Sequence, residues 1–98
     1  MKLEWSQRAA LDVKHLRDYI ALDSTLYAYR FIERLLQSVE RLTMFPASGR
    51  KVQEAHDDAI REVIYQGYRV IYRIEADLVQ IVTVVHGSRD LTQYPITK

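Results

Sequence analysis

The sequence predicts an α+β domain in which two helices pack on one face of a curved, mainly antiparallel sheet, with the element order β-α-α-β-β-β. Three patterns predict it: a short alternating segment at 1–5, two apolar stripes of helical period, and a segment rich in Val, Ile and Tyr at 60–86. Such residues suit a pleated, half-buried surface. Helices segregated from strands are typical of this class. At this length we expect a single domain over residues 1–98.

The first strand and the first helix follow one another directly. Apolar Met1, Leu3 and Trp5 alternate with charged residues, which indicates a short strand with one buried face. Ser6 has the side chain of a helix N-cap. Residues 7–21 then predict an amphipathic helix. Its apolar stripe consists of Ala9, Val13, Leu16 and Ile20.

A second, longer helix is predicted over about 24–44, after the polar turn Asp23-Ser24-Thr25. Its apolar stripe consists of Ala28, Phe31, Ile32, Leu35, Val39 and Leu42. Pro46 ends it, because proline lacks an amide hydrogen and disfavours helical geometry in the preceding residue. The two helices are therefore expected to form an antiparallel hairpin. The polar segment 46–59 is expected to be a connecting loop.

The last third of the chain predicts a three-stranded meander, with strands at 60–65, 68–75 and 78–86. Gln66-Gly67 has the composition of a two-residue hairpin turn, since glycine tolerates the positive φ that such turns require. This turn places Tyr65 opposite Tyr68 and Ile64 opposite Arg69. Glu62 then shares a face with Arg69 and Arg73.

Composition excludes several classes of protein. The net charge is +1, from 14 basic and 13 acidic residues, which is not the basic excess typical of strong nucleic-acid binders. There is no cysteine, so disulfides, thiolate metal sites and cysteine nucleophiles are excluded. The first 15 residues carry frequent charges and match neither a signal peptide nor a membrane span, so we expect a cytoplasmic protein. His15 and His56 lack a second ligand at i+4, and we expect no metal and no cofactor.

Four arginines lie in or beside the predicted sheet, namely Arg61, Arg69, Arg73 and Arg89. A cationic face of this kind can hold a phosphate or an acidic peptide. The alternative for Arg69 and Arg73 is a solvated ladder of ion pairs with Glu62.

A second polar cluster follows the last strand. His86 and Arg89 can move a proton and clamp an anion, which favours a catalytic or partner-binding corner. The alternative is a simple surface pair between Arg89 and Asp90. Tyr94, a few residues further along, fits either a core or an interface position.

The ordered motifs resemble the RelE/ParE superfamily of toxins from bacterial type II toxin–antitoxin modules. Trp5-Ser6 leads into the helices, which are followed in order by Phe45-Pro46, Gly49-Arg50, Arg61, Gly67-Tyr68-Arg69-Val70-Ile71-Tyr72-Arg73 and His86-Gly87-Ser88-Arg89-Asp90. The resemblance covers nearly the whole chain. It implies a helix hairpin packed on a curved sheet, and a cognate antitoxin that wraps the toxin in a hetero-oligomer.

Two activities are implied by the resemblance: cleavage of mRNA in the ribosomal A site by RelE-like members, and inhibition of DNA gyrase by ParE-like members. The ribonuclease site would comprise Arg61, Arg69, His86, Arg89 and Tyr94. It is incomplete, because Glu62 and Val63 occupy the place of the family's second basic residue. Tyr94 lies one residue short of the position of the family's terminal tyrosine. RNA cleavage needs an acid and a base beside its cations.

The long helix hairpin and the His-x-x-Arg-Asp ending resemble the ParE side. We therefore expect a gyrase inhibitor rather than an enzyme, with a ribosome-dependent mRNA endonuclease as the alternative. A second alternative is an inactive relative that acts only by binding. The expected partners are an antitoxin and gyrase, or else the ribosome and mRNA, with no membrane partner.

Overall fold

A computed structural model of the protein describes residues 1–88. The strands are β1 (Lys2–Trp5), β2 (Arg50–Lys51), β3 (Ile60–Tyr65), β4 (Tyr68–Glu75) and β5 (Leu78–His86), and the helices are α1 (Gln7–Ala21) and α2 (Thr25–Glu40). Short 3-10 turns lie at Arg41–Thr43, Pro46–Ser48 and Gln53–Ala55. No helix within residues 1–88 is long and apolar enough to cross a membrane.

The five strands form one sheet in the order β1-β5-β4-β3-β2. The predicted meander is confirmed, since β3, β4 and β5 pair antiparallel in chain order. β1 pairs parallel with β5, so the sheet is mixed. The segment 46–59 is not all loop, because Arg50 and Lys51 pair with Glu62 and Arg61. A two-residue strand carries no alternation that the sequence could reveal.

The hairpin register predicted from Gln66-Gly67 is confirmed: Tyr65 lies opposite Tyr68, and Ile64 opposite Arg69. Both turn residues have positive φ, 49° at Gln66 and 85° at Gly67. Positive φ at both central residues is typical of a type I′ turn, whose twist matches that of the two strands it joins. The register decides which side chains of β3 and β4 face the helices.

Both helices begin where the sequence predicts. The Ser6 hydroxyl accepts a hydrogen bond from the Ala9 amide, and the Ser24 hydroxyl accepts one from the Tyr27 amide. Each cap satisfies an amide that has no partner within the helix. The second helix is shorter than the predicted 24–44, since it ends at Glu40 and continues as a 3-10 turn at Arg41–Thr43.

The sheet has an apolar core on each face. The larger core lies between the sheet and the helices, and its fully buried members include Leu35, Val39, Val70, Tyr72, Val79 and Ile81. The smaller core lies on the opposite face, where residues of the 50–55 segment cover the sheet. It consists of Val52, Ala55, Ile60, Ile71 and Val85.

Asp12 fixes α1 against β5 where β1 has ended. Its carboxylate accepts hydrogen bonds from the Thr83 hydroxyl at 2.5 Å and from the Val84 amide at 3.0 Å. The Ser6 hydroxyl donates to the Val82 carbonyl nearby. Side chains of the N-cap and first helix thus replace the missing strand as partners of the β5 edge, and they hold the end of β5 that carries His86.

Candidate functional site

Arg69, the arginine of the predicted Gly-Tyr-Arg segment, is buried rather than presented to solvent, with 7% of its surface exposed. It lies on the sheet face away from the helices. Its Nε donates to Glu62 at 2.5 Å, and its two terminal nitrogens donate to the two oxygens of Glu54, each at 3.1 Å. The hydrogen bonds that Arg69 donates to Glu54 and Glu62 raise the pKa of Arg69 against the opposing effect of burial. Two carboxylates therefore neutralise this guanidinium.

Glu62 connects Arg69 to a second arginine. It is 3% exposed and also accepts a hydrogen bond from Arg50 Nε at 2.6 Å. The predicted pairing of Glu62 with Arg69 is confirmed, but the predicted ladder is wrong in two respects. The pair is buried, and Arg73 reaches Asp57 at 3.4 Å instead of Glu62. Asp57 precedes β3 and lies beside the Ile60–Arg73 register pair, which brings it within reach.

Arg61 points to the helix-facing side of the sheet and holds a loop. One terminal nitrogen donates to the Gly49 carbonyl at 2.9 Å. The Tyr72 hydroxyl accepts from the Gly49 amide at 3.0 Å and donates to the Pro46 carbonyl at 2.6 Å. Burial raises the pKa of Tyr72, which favours the neutral phenol that these two hydrogen bonds require. A side chain at Gly49 would lie 2.5 Å from the Tyr72 hydroxyl.

His86 is exposed at the end of β5. Its ring meets that of Tyr68 edge to face, with centroids 5.4 Å apart. Its Nδ1 lies 2.8 Å from the Ser88 hydroxyl. It borders a cleft of about 310 Å³ between α1 and the sheet, whose other lining residues include Asp12, His15, Tyr19 and Tyr68.

Sequence reasoning missed this cleft by treating His15 as isolated. His15 and Tyr19 are four residues apart on α1, a spacing that places both on one helix face. That spacing was the available signal. Their proximity to His86 depends on how α1 packs against β5. Within residues 1–88 no group of three or more His, Asp or Glu side chains is arranged to hold a metal ion.

The predicted site residues that the structure describes do not converge. Arg69 lies on one face of the sheet, whereas Arg61 and His86 lie on the helix-facing side. Arg61 is opposite Tyr72 and His86 is opposite Tyr68. These β4 partners are four residues apart, roughly 13 Å along a strand. Arg89 and Tyr94 lie outside the described residues.

Comparisons with known proteins agree with the fold. A family model described as the ParE toxin of the type II toxin–antitoxin system parDE matches residues 3–91. Toxin RelE2 of Caulobacter vibrioides is 34% identical over 86 residues, which cover 87% of this chain and 93% of that protein. The putative toxin Y4kP of Sinorhizobium fredii is 29% identical over 94 residues, covering 94% of each.

A solved structure shares the architecture. A chain described as the chromosomal ParDE TA system from P. aeruginosa superposes with a TM-score of 0.74 at 19% identity, over 88% of this chain and 95% of the other. This likeness concerns the fold. The family match over most of the chain, together with the relative at 34% identity, shows membership of the family. This chain therefore belongs to the ParE toxins of type II toxin–antitoxin systems, within the RelE/ParE superfamily.

Proposed function

We propose that this toxin arrests bacterial growth by inhibiting DNA gyrase, and that a cognate antitoxin neutralises it by binding. The observation that supports gyrase over mRNA as the target is the engagement of Arg69 by Glu54 and Glu62. A ribonuclease needs cations free to stabilise the charge that develops on the phosphate. A guanidinium paired with two carboxylates is poorly suited to that role.

The placement of the other site residues supports the same proposal. Arg61 is engaged by the Gly49 carbonyl, and it lies on the opposite face from Arg69. Proton transfer to or from a reacting group requires an acid or base within hydrogen-bonding reach of it. His86 is the one exposed candidate among the described members of the predicted set. Arg69 faces the opposite side of the sheet, and Arg61 is paired with Tyr72, four residues further along β4 than the partner of His86. Protein binding requires no such convergence, since it depends on buried anchor residues.

The surface of the helix hairpin supports an antitoxin partner. Large apolar side chains exposed there include Leu11, Tyr19, Leu22, Leu26, Tyr27, Tyr29 and Leu36. Exposed apolar surface of this extent is typical of a protein-binding region. A disordered antitoxin segment that folds on binding can wrap such a surface. The solved neighbour from P. aeruginosa is itself described as a ParDE system.

The alternative function is ribosome-dependent cleavage of mRNA. It is favoured by the name of the relative at 34% identity, Toxin RelE2, and by the exposed His86 beside Tyr68. In this alternative, His86 transfers a proton, and Arg61, Arg69, Arg89 and Tyr94 complete the site. Arg69 must then leave Glu54 before it can contact a phosphate.

Purified protein tested in parallel separates the two functions. We expect it to inhibit DNA supercoiling by gyrase and to leave ribosome-bound mRNA intact. The Arg69→Ala and His86→Gln variants serve as diagnostic controls in both assays. If the protein cleaves mRNA and Arg69→Ala lowers the rate by about 10²–10³, the scale of one lost charge-stabilising donor, the ribonuclease replaces our proposal.

A further inference from the structure

A short segment crosses the sheet face that lies away from the helices. We call residues 50–57 the strap. Val52 and Ala55 of the strap are buried against Ile60, Ile71 and Val85. The Val52 amide donates to the Ile60 carbonyl at 3.2 Å. The strap therefore covers the smaller core, and Arg69 lies beneath it.

Both ends of the strap are fixed by contacts outside it. Just before it, Gly49 is held by the Tyr72 hydroxyl at 3.0 Å and by Arg61 at 2.9 Å. At its far end, the Asp57 carboxylate accepts from the Ala59 amide at 2.9 Å and pairs with Arg73 at 3.4 Å. Opening of the middle would leave these attachments in place.

The middle of the strap has fewer attachments. Within the strap, strand pairing is limited to Arg50 and Lys51, which precede its middle and lie at the edge of the sheet. His56 adopts a left-handed backbone with φ of 53°, which is unfavourable for a residue other than glycine. The strap buries two apolar side chains, Val52 and Ala55, so local opening has to expose only this smaller core.

Between these fixed ends, Arg50 pairs with Glu62 at the start of the strap. Glu54 attaches the middle of the strap to Arg69. Its two oxygens accept from the two terminal nitrogens of Arg69, a bidentate arrangement. Such charge-assisted pairs are roughly twice as strong as neutral hydrogen bonds. The same fork of donors is the one that an external carboxylate or phosphate would use. Glu54 thus occupies the position of an anionic ligand.

We propose that Glu54 is a latch that holds the strap closed over Arg69. Release of Glu54 opens the strap between Gly49 and Asp57. Opening uncovers Arg69 together with the apolar surface of Ile71 and Val85. The latch operates whichever target the toxin acts on.

Two chemical probes of the folded protein test the latch. Trypsin cleavage at the Lys51–Val52 bond reports strap opening, because Val52 is buried in the closed strap. Modification by phenylglyoxal, followed by mass spectrometry, reports access to Arg69. In Glu54→Gln we expect both rates to rise about tenfold or more, as expected for loss of bonds to a charged group. Asp58→Asn is the matched control. Asp58 directly follows the strap, and its substitution removes only an exposed ion pair with Lys51.

The expected control result is a change within about twofold for both probes, as for an exposed ion pair. Unchanged rates in Glu54→Gln would overturn the proposal. So would faster modification of Arg69 without faster cleavage at Lys51, because Glu54 would then shield Arg69 without holding the strap. Loss of the whole fold in Glu54→Gln, seen by circular dichroism, would also overturn it, since a latch acts on the strap alone.

Discussion

Replacing Glu62 with glutamine is expected to lower the free energy of unfolding by about 3 kcal/mol, as measured by urea denaturation. Removal of one partner from a buried ion pair costs about 3–5 kcal/mol, because the other charge stays buried without compensation. Glu62 is 3% exposed and accepts from Arg69 and from Arg50. The loss falls at the low end of the range because Glu54 still pairs with Arg69.

Asp58→Asn is again the matched control. Asp58 is 87% exposed and lies 3.4 Å from Lys51, so this substitution should change stability by less than about 0.5 kcal/mol. Equal losses in the two variants would contradict the claim that the buried network, rather than surface charge, holds this face of the sheet.

Binding of the cognate antitoxin is expected to raise the melting temperature of the toxin strongly. A ligand that binds the folded state alone stabilises it by about 4 kcal/mol at a free concentration 1,000 times its Kd. The exposed side chains of the hairpin, with Leu22 at 83% and Tyr29 at 67%, provide the apolar area for such binding. Scanning calorimetry of the toxin alone and with saturating antitoxin measures the shift.

An antitoxin from an unrelated module is the control for that measurement and should leave the melting temperature unchanged. Equal melting temperatures with and without the cognate partner would contradict the proposed partnership. A Leu22→Ser variant extends the test, because it leaves the core intact and should weaken binding only if the hairpin surface is covered.

Local patterns in the sequence predicted most of the fold. Gln66-Gly67 determined the register of β3 and β4, because a two-residue turn allows one pairing of the strands that flank it. Ser6 and the polar turn Asp23-Ser24-Thr25 predicted the helix starts, because capping depends on neighbouring residues alone. The parallel pairing of β1 with β5 joins segments more than 70 residues apart, and no short-range pattern encodes it.

The candidate site was less predictable, because it depends on contacts between distant segments. The hairpin register predicted that Glu62 lies near Arg69, and this proved correct. The contact of Glu54 with Arg69 was not predicted, because it depends on a 3-10 turn at Gln53–Ala55 within the segment predicted as a loop. His15 reaches the His86 cleft only through the packing of α1, which the bonds of Asp12 to Thr83 and Val84 help to fix.

The most direct test of the proposed activity follows DNA and RNA in the same culture. The toxin is expressed without antitoxin, and plasmid topology and mRNA ends are measured as growth stops. Inhibition of gyrase predicts that plasmids lose negative supercoils while mRNA remains uncut within codons at the ribosomal A site. Co-expressed antitoxin should restore both growth and supercoiling. Supercoiled plasmid together with mRNA cut at A-site codons would contradict the account and identify the toxin as a ribonuclease.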